Sequence, residues 1–322
     1  MTDSPKLTPV WLDLDSPVPF ILWTDLSDME WAEPAFHDTV GRAVQANPQR
    51  TRVRSGLDAL DSVPDIAPAL GIFHATPDGS TVLSESLAAR NDTVVIREAA
   101  LINAVLSSPR PREERVRLLR KVMGALARPR ITDDPSDERR LVVKFYGWNV
   151  QHLDLIAEAF PAMRWVFVYG EPRAMLAAVW PRRATWLGFL ADPEDAARIV
   201  GLSPGEMPRV APHDFYGQAL AVSGEAALAA LDEKGRLIHE STLPDAIDTC
   251  VLPLMGLAPD GSRYTPPPHD DDDEDDEDDN KLPDAVPEAA ERWLADVVSR
   301  LQSAEASCGR ILEPCDEGQP KA

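Results

Sequence analysis

The alternation of short apolar runs with helix-like segments between residues 70 and 169 constrains the fold more than any other feature. Four runs are rich in β-branched and aromatic residues, and amphipathic or helix-forming stretches separate them. Parallel strands need helical crossovers, and strands buried on both faces read as continuous apolar runs. The pattern therefore predicts an α/β domain with a mainly parallel sheet. The predicted strands are 71–75, 93–98, 141–145 and 165–169.

Helical periodicity fills the intervals between these strands and dominates the chain after Trp180. The residues at 76–79 are typical of a tight turn. We expect helices on both faces of the sheet, which makes three layers, with mostly helical additions at the C-terminal side. The predicted helices are 80–90, 99–106, 111–126, 153–159, 217–231, 243–252 and 287–302, with a short further strand at 236–239.

At 322 residues the chain can form one large α/β domain with appended segments. Residues 1–66 are predicted to be irregular apart from a strand at 17–23 and a helix at 36–46, and three tryptophans favour packing of this segment on the main domain. The main domain is expected at 67–260. A proline-rich and acidic loop follows at 261–283, and a helix and tail occupy 284–322.

The formal net charge is −22, and ten of the negative charges lie in the unbroken acidic run from Asp270 to Asp279. The rest of the chain is acidic as well. Nonspecific nucleic-acid binding and docking on an anionic membrane both require a positive field, so we expect neither. The run itself is interpreted as a solvated loop; weak binding of divalent cations or of a basic partner are the alternatives, although the run lacks the glycine and terminal glutamate of a calcium loop.

The cysteines and histidines form no pattern typical of a metal site. The three cysteines lack metal-ligand spacing, and the pairs His152–Asp154 and His213–Asp214 lack further ligands at recurrent spacing. The N-terminal residues contain no apolar stretch long enough for a signal peptide or membrane span. The sequence thus predicts a reduced, cytoplasmic protein without a bound metal.

The segment from Ile72 to Thr81 combines an apolar strand with Gly79, Ser80 and Thr81 at the start of a helix. It resembles the first strand and phosphate loop of the bacterial sulfotransferase-like family. The resemblance implies a three-layer, P-loop-type domain whose donor is 3′-phosphoadenosine-5′-phosphosulfate. Backbone amides at a helix N-terminus attract anions, and the resemblance implies that Thr76, Gly79, Ser80 and Thr81 contact the 5′-phosphosulfate.

The second predicted strand ends in Glu98 and is followed by the apolar stretch 101–106, an order similar to that of the same family. The resemblance implies an acidic residue near the acceptor, so Glu98 is the candidate general base, provided that burial raises its pKa. The alternative is a strand-end glutamate that is solvated or paired with Arg97. His74, just before the loop, is a candidate for orienting the loop or for acid-base chemistry, and the alternative is a hydrogen-bonded core residue.

The stretch from 142 to 173 resembles the family most closely, with a strand, a helix, a Phe-Pro pair and a second strand in the family's order. In the family an arginine ends this second strand and a serine lies eight residues later, and both grip the donor's 3′-phosphate. Gly170 and Ala178 occupy those positions here. The phosphate loop, where the family places a basic residue, contains Pro77 and Asp78.

These substitutions remove charge-assisted hydrogen bonds, each typically worth about 1.5 to 3 kcal/mol. Lys144, at the end of its strand, and Arg173 are the cations that could compensate. Trp148 is one of several tryptophans near this region that pack in the core or stack on a ligand; the others are Trp165, Trp180 and Trp186.

Two functions from different classes follow. One is a sulfotransferase-like enzyme that moves a sulfuryl group to a hydroxyl or amine of a small molecule. The other is a noncatalytic homologue that binds a ligand or a protein partner. A P-loop kinase is a weaker third reading, because the full phosphate-binding motif and an acidic magnesium-binding strand end are both missing.

Overall fold

The computed structural model describes residues 7–128, 130, 139–180, 193–203, 205–207, 210–259 and 282–309. The N-terminal part contains a small antiparallel sheet in the order β1-β2-β3. Its elements are β1 (Leu7–Asp13), β2 (Phe20–Asp25), helix α1 (Phe36–Ala46) and β3 (Arg52–Ser55), followed by a 3-10 turn at Leu57–Leu60.

The main domain contains a five-stranded parallel sheet, which confirms the predicted α/β class. Its elements in chain order are β4 (Leu70–His74), α2 (Pro77–Ala88), β5 (Thr93–Arg97), α3 (Ala100–Ser107), α4 (Arg112–Ala127), β6 (Arg140–Lys144), a 3-10 segment (Gly147–His152), α5 (Leu153–Ala159), β7 (Arg164–Tyr169), α6 (Pro172–Val179), α7 (Pro193–Val200), α8 (Pro212–Ala230), β8 (Gly235–His239) and α9 (Ala285–Gly309).

The strand order β5-β6-β4-β7-β8 places the first strand of this sheet at its centre. The chain leaves β4 toward one edge to form β5 and β6 and later crosses to the other side to form β7 and β8. In open α/β sheets, ligands bind outside the carboxyl ends of the strands where the order reverses. We therefore expect a ligand site at the carboxyl end of β4.

Side chains of β7 alternate between two buried clusters. Trp165, Phe167 and Tyr169 point into one cluster, whereas Val166 and Val168 point into the other. The first cluster includes apolar residues of α3, α4, α5, α8 and α9, and the second includes residues of α2 and of the segment 247–255. The sheet is thus covered on both faces, as the continuous apolar runs predicted.

The N-terminal sheet packs on the main domain through the first cluster, which contains Leu12, Ile21 and Trp23 together with residues of α3 and α4. The side chain of Arg97 reinforces the contact by donating hydrogen bonds to the carbonyl oxygens of Trp31 and Glu33. The prediction of an irregular segment was wrong in part. β1 and β3 were missed because their apolar pattern is weak, and β1 contains a bulge between Pro9 and Trp11.

Two further predictions need correction. Helix α2 begins at Pro77 rather than Ser80, because proline is well tolerated in the first turn and the expected tight turn is that first turn. The helix predicted at 243–252 is a 3-10 turn at Glu240–Thr242 followed by a π-helical turn at Ile247–Val251 and one short turn at Leu252–Leu254.

The acidic run at 270–279, Trp186 and Cys315 lie outside the described residues. Cys250 is a free thiol. In the described ranges, no helix is long and apolar enough to cross a membrane.

Candidate functional site

A cavity of about 360 Å³ opens at the carboxyl ends of β4, β5 and β6. Polar groups reach it from the strand ends and also from helix α1, through His37 and Asp38, and from helix α8, through Ser223. The lining residues include His74, Glu98, Lys144, Tyr146, Gly147 and Trp148, with Val179 on helix α6 and Leu220 on helix α8.

Glu98 follows β5 directly and has an unusual backbone conformation. Its φ angle is +44°, a region that residues other than glycine rarely adopt. The backbone amide of Glu98 donates a hydrogen bond to the carbonyl oxygen of Lys144 across 2.7 Å. Strained conformations of this kind persist only where the surroundings hold them, and they concentrate at functional sites. The backbone therefore turns the Glu98 side chain toward the neighbouring strand ends.

The Glu98 carboxylate lies between two nitrogen groups. Its Oε1 atom is 3.3 Å from His74 Nε2 and 3.3 Å from Lys144 Nζ. The Lys144 side chain is only 3% exposed and also donates a hydrogen bond of 3.2 Å to Thr81 Oγ1. One cluster thus joins the ends of β4, β5 and β6 to the first turns of α2. Arg97, the alternative partner considered for Glu98, instead pairs with Glu85.

The pKa of Glu98 is lowered, whereas a role as general base requires a raised pKa. Burial is the largest single influence and raises it, but the hydrogen bonds and charges of His74 and Lys144 together outweigh burial and lower the pKa to about 2. The condition under which Glu98 would act as a general base, a pKa raised by burial, is therefore not met. Glu98 is a carboxylate at neutral pH that accepts hydrogen bonds and has little affinity for a proton.

Two stacked aromatic rings form one wall of the cavity. Tyr146 and Trp148 lie with centroids 4.7 Å apart and ring planes 7° from parallel. Burial, followed by the charges of Glu98 and Asp38, raises the pKa of the Tyr146 hydroxyl, so this group stays protonated. The Trp148 indole nitrogen donates a hydrogen bond to Asn103 Oδ1, which fixes the ring against α3.

Gly147 lies between the two aromatic residues, and its lack of a side chain is required by close packing. A Cβ atom at this position would overlap the backbone carbonyl oxygen of His74. The chain therefore passes directly over the end of β4. This approach holds Tyr146 and Trp148 beside His74 and Glu98 in the cavity.

A second arrangement lies on the other side of β4, between β7 and β8. The hydroxyl of Thr76 donates a hydrogen bond of 2.5 Å to Glu240 Oε2. A Cβ atom at Gly79 would lie 2.9 Å from the Glu240 Cβ atom, and one at Gly170 would overlap the Glu240 carboxylate. The Glu240 side chain thus occupies the space that these two glycines leave open beside the N-terminus of α2.

The register of the sheet places Glu240 there. β8 runs parallel to β7 with His239 opposite Tyr169, so the next residues, Glu240 and Gly170, leave the sheet side by side. The 3-10 turn that begins at Glu240 is held by a hydrogen bond of 2.7 Å from Thr242 Oγ1 to the carbonyl oxygen of His239. Strand pairing and the turn together direct the carboxylate toward Thr76.

Ser80 and Thr81, the remaining hydroxyl residues of the predicted phosphate loop, use their hydroxyls within helix α2. Ser80 is buried, and its hydroxyl donates to the carbonyl oxygen of Pro77 across 2.9 Å. Thr81 donates to the same oxygen across 2.8 Å and accepts the hydrogen bond from Lys144. Arg173 is exposed in the first turn of α6 and does not line the cavity. Its role as a compensating cation stays a prediction.

The predicted site residues therefore divide into groups. His74, Glu98, Lys144 and Thr81 come together, whereas Thr76 and Gly79 face Glu240. Sequence reasoning missed Tyr146, Gly147 and Glu240. A signal for each existed, because Tyr146 and Gly147 follow the predicted strand 141–145 and Glu240 follows the predicted strand 236–239. Residues directly after parallel strands converge at one edge of the sheet.

The phosphate loop does not fit a phosphate-bearing donor as it stands. A carboxylate already lies against Thr76, Gly79 and Gly170, the last being the position where the family resemblance implies an arginine. In the part of the chain that the structure describes, no group of three or more His, Cys, Asp or Glu residues is arranged to hold a metal ion. His213 Nε2 lies 3.6 Å from Asp214 Oδ2, and Asp214 also pairs with Arg292.

No family model matches the sequence, and no curated protein matches it. Among solved structures, the chain is similar to a sulfotransferase from Alicyclobacillus acidocaldarius, with 14% identity, a TM-score of 0.47, and coverage of 76% of this chain and 99% of the other. It is also similar to a sulfotransferase domain from the Synechococcus PCC 7002 olefin synthase, with 14% identity, a TM-score of 0.40, and coverage of 76% and 97%.

A third similar structure is a sulfotransferase domain from the curacin biosynthetic pathway, with 14% identity, a TM-score of 0.39, and coverage of 63% of this chain and 77% of the other. At these identities, and with TM-scores below 0.5, the similarities say nothing about the chemistry of the site. The architecture itself, a central parallel sheet between layers of helices, is established by the strand order.

Proposed function

We propose that the protein is a sulfotransferase-like binding protein that holds a small molecule bearing a hydroxyl or amine in the cavity beside Glu98, without transferring a sulfuryl group. One observation carries this proposal. The Glu98 carboxylate faces the cavity while His74 and Lys144 hold its pKa at about 2. Such a group is suited to binding and poorly suited to removing a proton.

The chemistry follows from the charge state. An efficient general base has a pKa near the working pH, and a pKa of about 2 lies far below neutrality. A carboxylate is nevertheless a strong acceptor for O–H and N–H groups, and ionised acceptors make shorter and stronger hydrogen bonds than neutral ones. Glu98 can therefore orient a ligand without activating it.

The shape of the cavity supports a small organic ligand. Its volume of about 360 Å³ lies at the low end of the range of roughly 300 to 1,000 Å³ that is typical of ligand pockets. Tyr146 and Trp148 supply an aromatic wall, and Val179 and Leu220 add apolar lining from helices α6 and α8. A ring that carries one hydroxyl or amine matches this combination of apolar and polar lining groups.

The region where the sulfuryl donor would bind, beside Gly79 and Gly170, also supports binding without transfer. The Glu240 carboxylate occupies the position beside Gly170 and Gly79, and a phosphate group there would meet a negative charge. Neither Pro77 nor Asp78 adds a positive charge. Pro77 also lacks an amide hydrogen that could bind phosphate.

Sulfuryl transfer is the second candidate, and the contact between Lys144 and Thr81 favours it. Lys144 Nζ lies 3.2 Å from the Thr81 hydroxyl, so a cation reaches the phosphate loop from the cavity side. An anion bound at the loop would therefore find one positive charge within reach. This candidate requires that the donor bind despite Glu240.

Thermal shift measurements with a panel of small phenols and primary amines test the binding proposal. A ligand that binds only the native state raises the melting temperature. We expect stabilisation of the wild type by members of the panel and at least tenfold weaker binding by Glu98→Gln. Glu113→Gln, a change of the same kind on the exposed side of α4, serves as the matched control. Equal affinity in wild type and Glu98→Gln would contradict the proposal.

A transfer assay separates the two candidates. The wild type is incubated with 3′-phosphoadenosine-5′-phosphosulfate and the tightest phenol of the panel, and release of adenosine 3′,5′-bisphosphate is followed. The binding proposal predicts no release above the rate without protein. Release that depends on the phenol would favour the transferase instead.

A further inference from the structure

The Glu240 carboxylate is an anion from outside helix α2 that lies at the N-terminus of that helix. Helix N-termini favour negative groups because their first amides lack helical acceptors and the helix dipole is positive there. Glu240 Oε2 accepts the Thr76 hydroxyl, and Thr76 is the residue that precedes the first helical residue, Pro77. Within the described ranges, no lysine, arginine or histidine forms an ion pair with Glu240.

The geometry around this carboxylate leaves no second anion position beside Thr76. The Glu240 side chain packs against Gly79 on one side, and its carboxylate lies where a side chain of residue 170 would begin. A phosphate or sulfate brought to the same hydroxyl would overlap the carboxylate and would also meet its charge. Steric overlap and charge repulsion thus both oppose the binding of a phosphate or sulfate beside Thr76.

We propose that Glu240 is a specificity-determining residue that excludes phosphate- and sulfate-bearing ligands from the N-terminus of α2 by occupying the anion position itself. The inference concerns the β7–β8 side of the sheet and does not depend on which molecule the Glu98 cavity binds. The proposal predicts that the Glu240 side chain alone excludes phosphate and sulfate. The backbone amides at the N-terminus of helix α2 remain able to bind an anion.

Removal of the carboxylate leaves the donors in place. The Thr76 hydroxyl loses its acceptor, the first-turn amides of α2 keep their position, and Lys144 continues to contact Thr81 from the other side. Asp78 stays in the first turn and limits the gain. The 3-10 turn that carries Glu240 is held by the contact between Thr242 and His239, so neither that hydrogen bond nor the pairing of β8 needs the Glu240 side chain.

Isothermal titration calorimetry with adenosine 3′,5′-bisphosphate, and separately with inorganic pyrophosphate, tests the inference. Three proteins are compared with the wild type. Glu240→Gln removes the charge at nearly constant size, Glu240→Ala removes both charge and volume, and Glu233→Gln makes the same charge change at an exposed residue before β8. Melting temperatures confirm that each variant is folded.

We expect no heat of binding at millimolar ligand for the wild type and for Glu233→Gln. Glu240→Ala should bind at least tenfold more tightly than the wild-type limit, with Glu240→Gln between them. If folded Glu240→Ala and Glu240→Gln bind neither ligand, or if the wild type binds as tightly as the variants, the inference is overturned. The phenol and amine panel is unaffected by either result, so failure here is distinguishable from failure of the binding proposal.

Discussion

The hydroxyl of Thr76 donates a hydrogen bond of 2.5 Å to the carboxylate of Glu240, although the two residues lie 164 positions apart in the chain. This contact joins the start of helix α2 to the turn after β8 across the end of β4. It places a negative charge on one side of the crevice, while the Glu98 cluster occupies the other side. Glu98 lies between His74 and Lys144, whereas Glu240 forms no ion pair with a described cation, so we expect the two sides to prefer different ligands.

Gly170→Arg is expected to have little effect by itself on the affinity for adenosine 3′,5′-bisphosphate. The new side chain would displace the Glu240 carboxylate, and the guanidinium would then pair with that carboxylate. Together with Glu240→Ala, the same arginine should strengthen binding by at least tenfold over Glu240→Ala alone, since each charge-assisted hydrogen bond is worth about 1.5 to 3 kcal/mol. Calorimetry compares the double variant with Glu240→Ala, and Gly170→Arg alone with the wild type; equal affinity of the double variant and Glu240→Ala would contradict the prediction.

The cluster at Glu98 makes stability depend on pH in the acid range. The pKa of Glu98 is lowered from 4.5 to about 2 in the folded protein, so its contribution is fully present above the unfolded-state value. The contribution is lost as the pH falls from about 4.5 toward 2. Relative to Glu98→Gln, the wild type should be roughly 3 kcal/mol more stable at pH 6, with the difference shrinking toward pH 2.

Urea denaturation at intervals between pH 2.5 and pH 6.5 checks this expectation for both proteins. The difference between their free energies of unfolding is the relevant quantity, because other carboxylates titrate equally in both. A difference that stays constant over this range would show that Glu98 has an ordinary pKa.

Lys144→Met should raise the pKa of Glu98. Both the charge and the hydrogen bond of Lys144 lower that pKa, and methionine retains neither while filling a similar volume. Nuclear magnetic resonance of the Glu98 side-chain carboxyl carbon measures the titration directly. Lys121→Met removes a cation that pairs with Asp65 outside the cavity and serves as the control. An unchanged Glu98 titration in Lys144→Met would show that His74 alone holds the charge.

Gly147→Ala should destabilise the protein by about 1 to 3 kcal/mol, the usual cost of overpacking. Its Cβ atom would overlap the carbonyl oxygen of His74, and a backbone atom cannot move aside by changing rotamer. Gly41→Ala, within helix α1, meets nothing within 4 Å and should instead stabilise by up to about 1 kcal/mol, because alanine is the better helix former. Urea denaturation midpoints check this: the midpoint of Gly147→Ala should fall below that of the wild type, and the midpoint of Gly41→Ala should rise above it.

Much of the fold could be predicted because local patterns determine it. The runs at 93–98, 141–145 and 165–169 match β5, β6 and β7 within one residue, and the helices predicted at 36–46 and 153–159 match α1 and α5. These elements carry continuous apolar runs or clear amphipathic periodicity. β1 and β3 lack such runs. Their pairing with β2 depends on contacts between segments distant in the chain, which no local pattern reports.

Only the site residues that lie at the ends of strands could be predicted from the sequence. His74, Glu98 and Lys144 lie at or directly after predicted strands, and parallel strands bring such residues to one edge, so the sequence by itself determined which groups stand at that edge. The lowered pKa of Glu98 and the presence of Glu240 beside Gly170 were decided by the tertiary structure. A pKa depends on the distances among charges, and the neighbour of Gly170 depends on which strand pairs with β7.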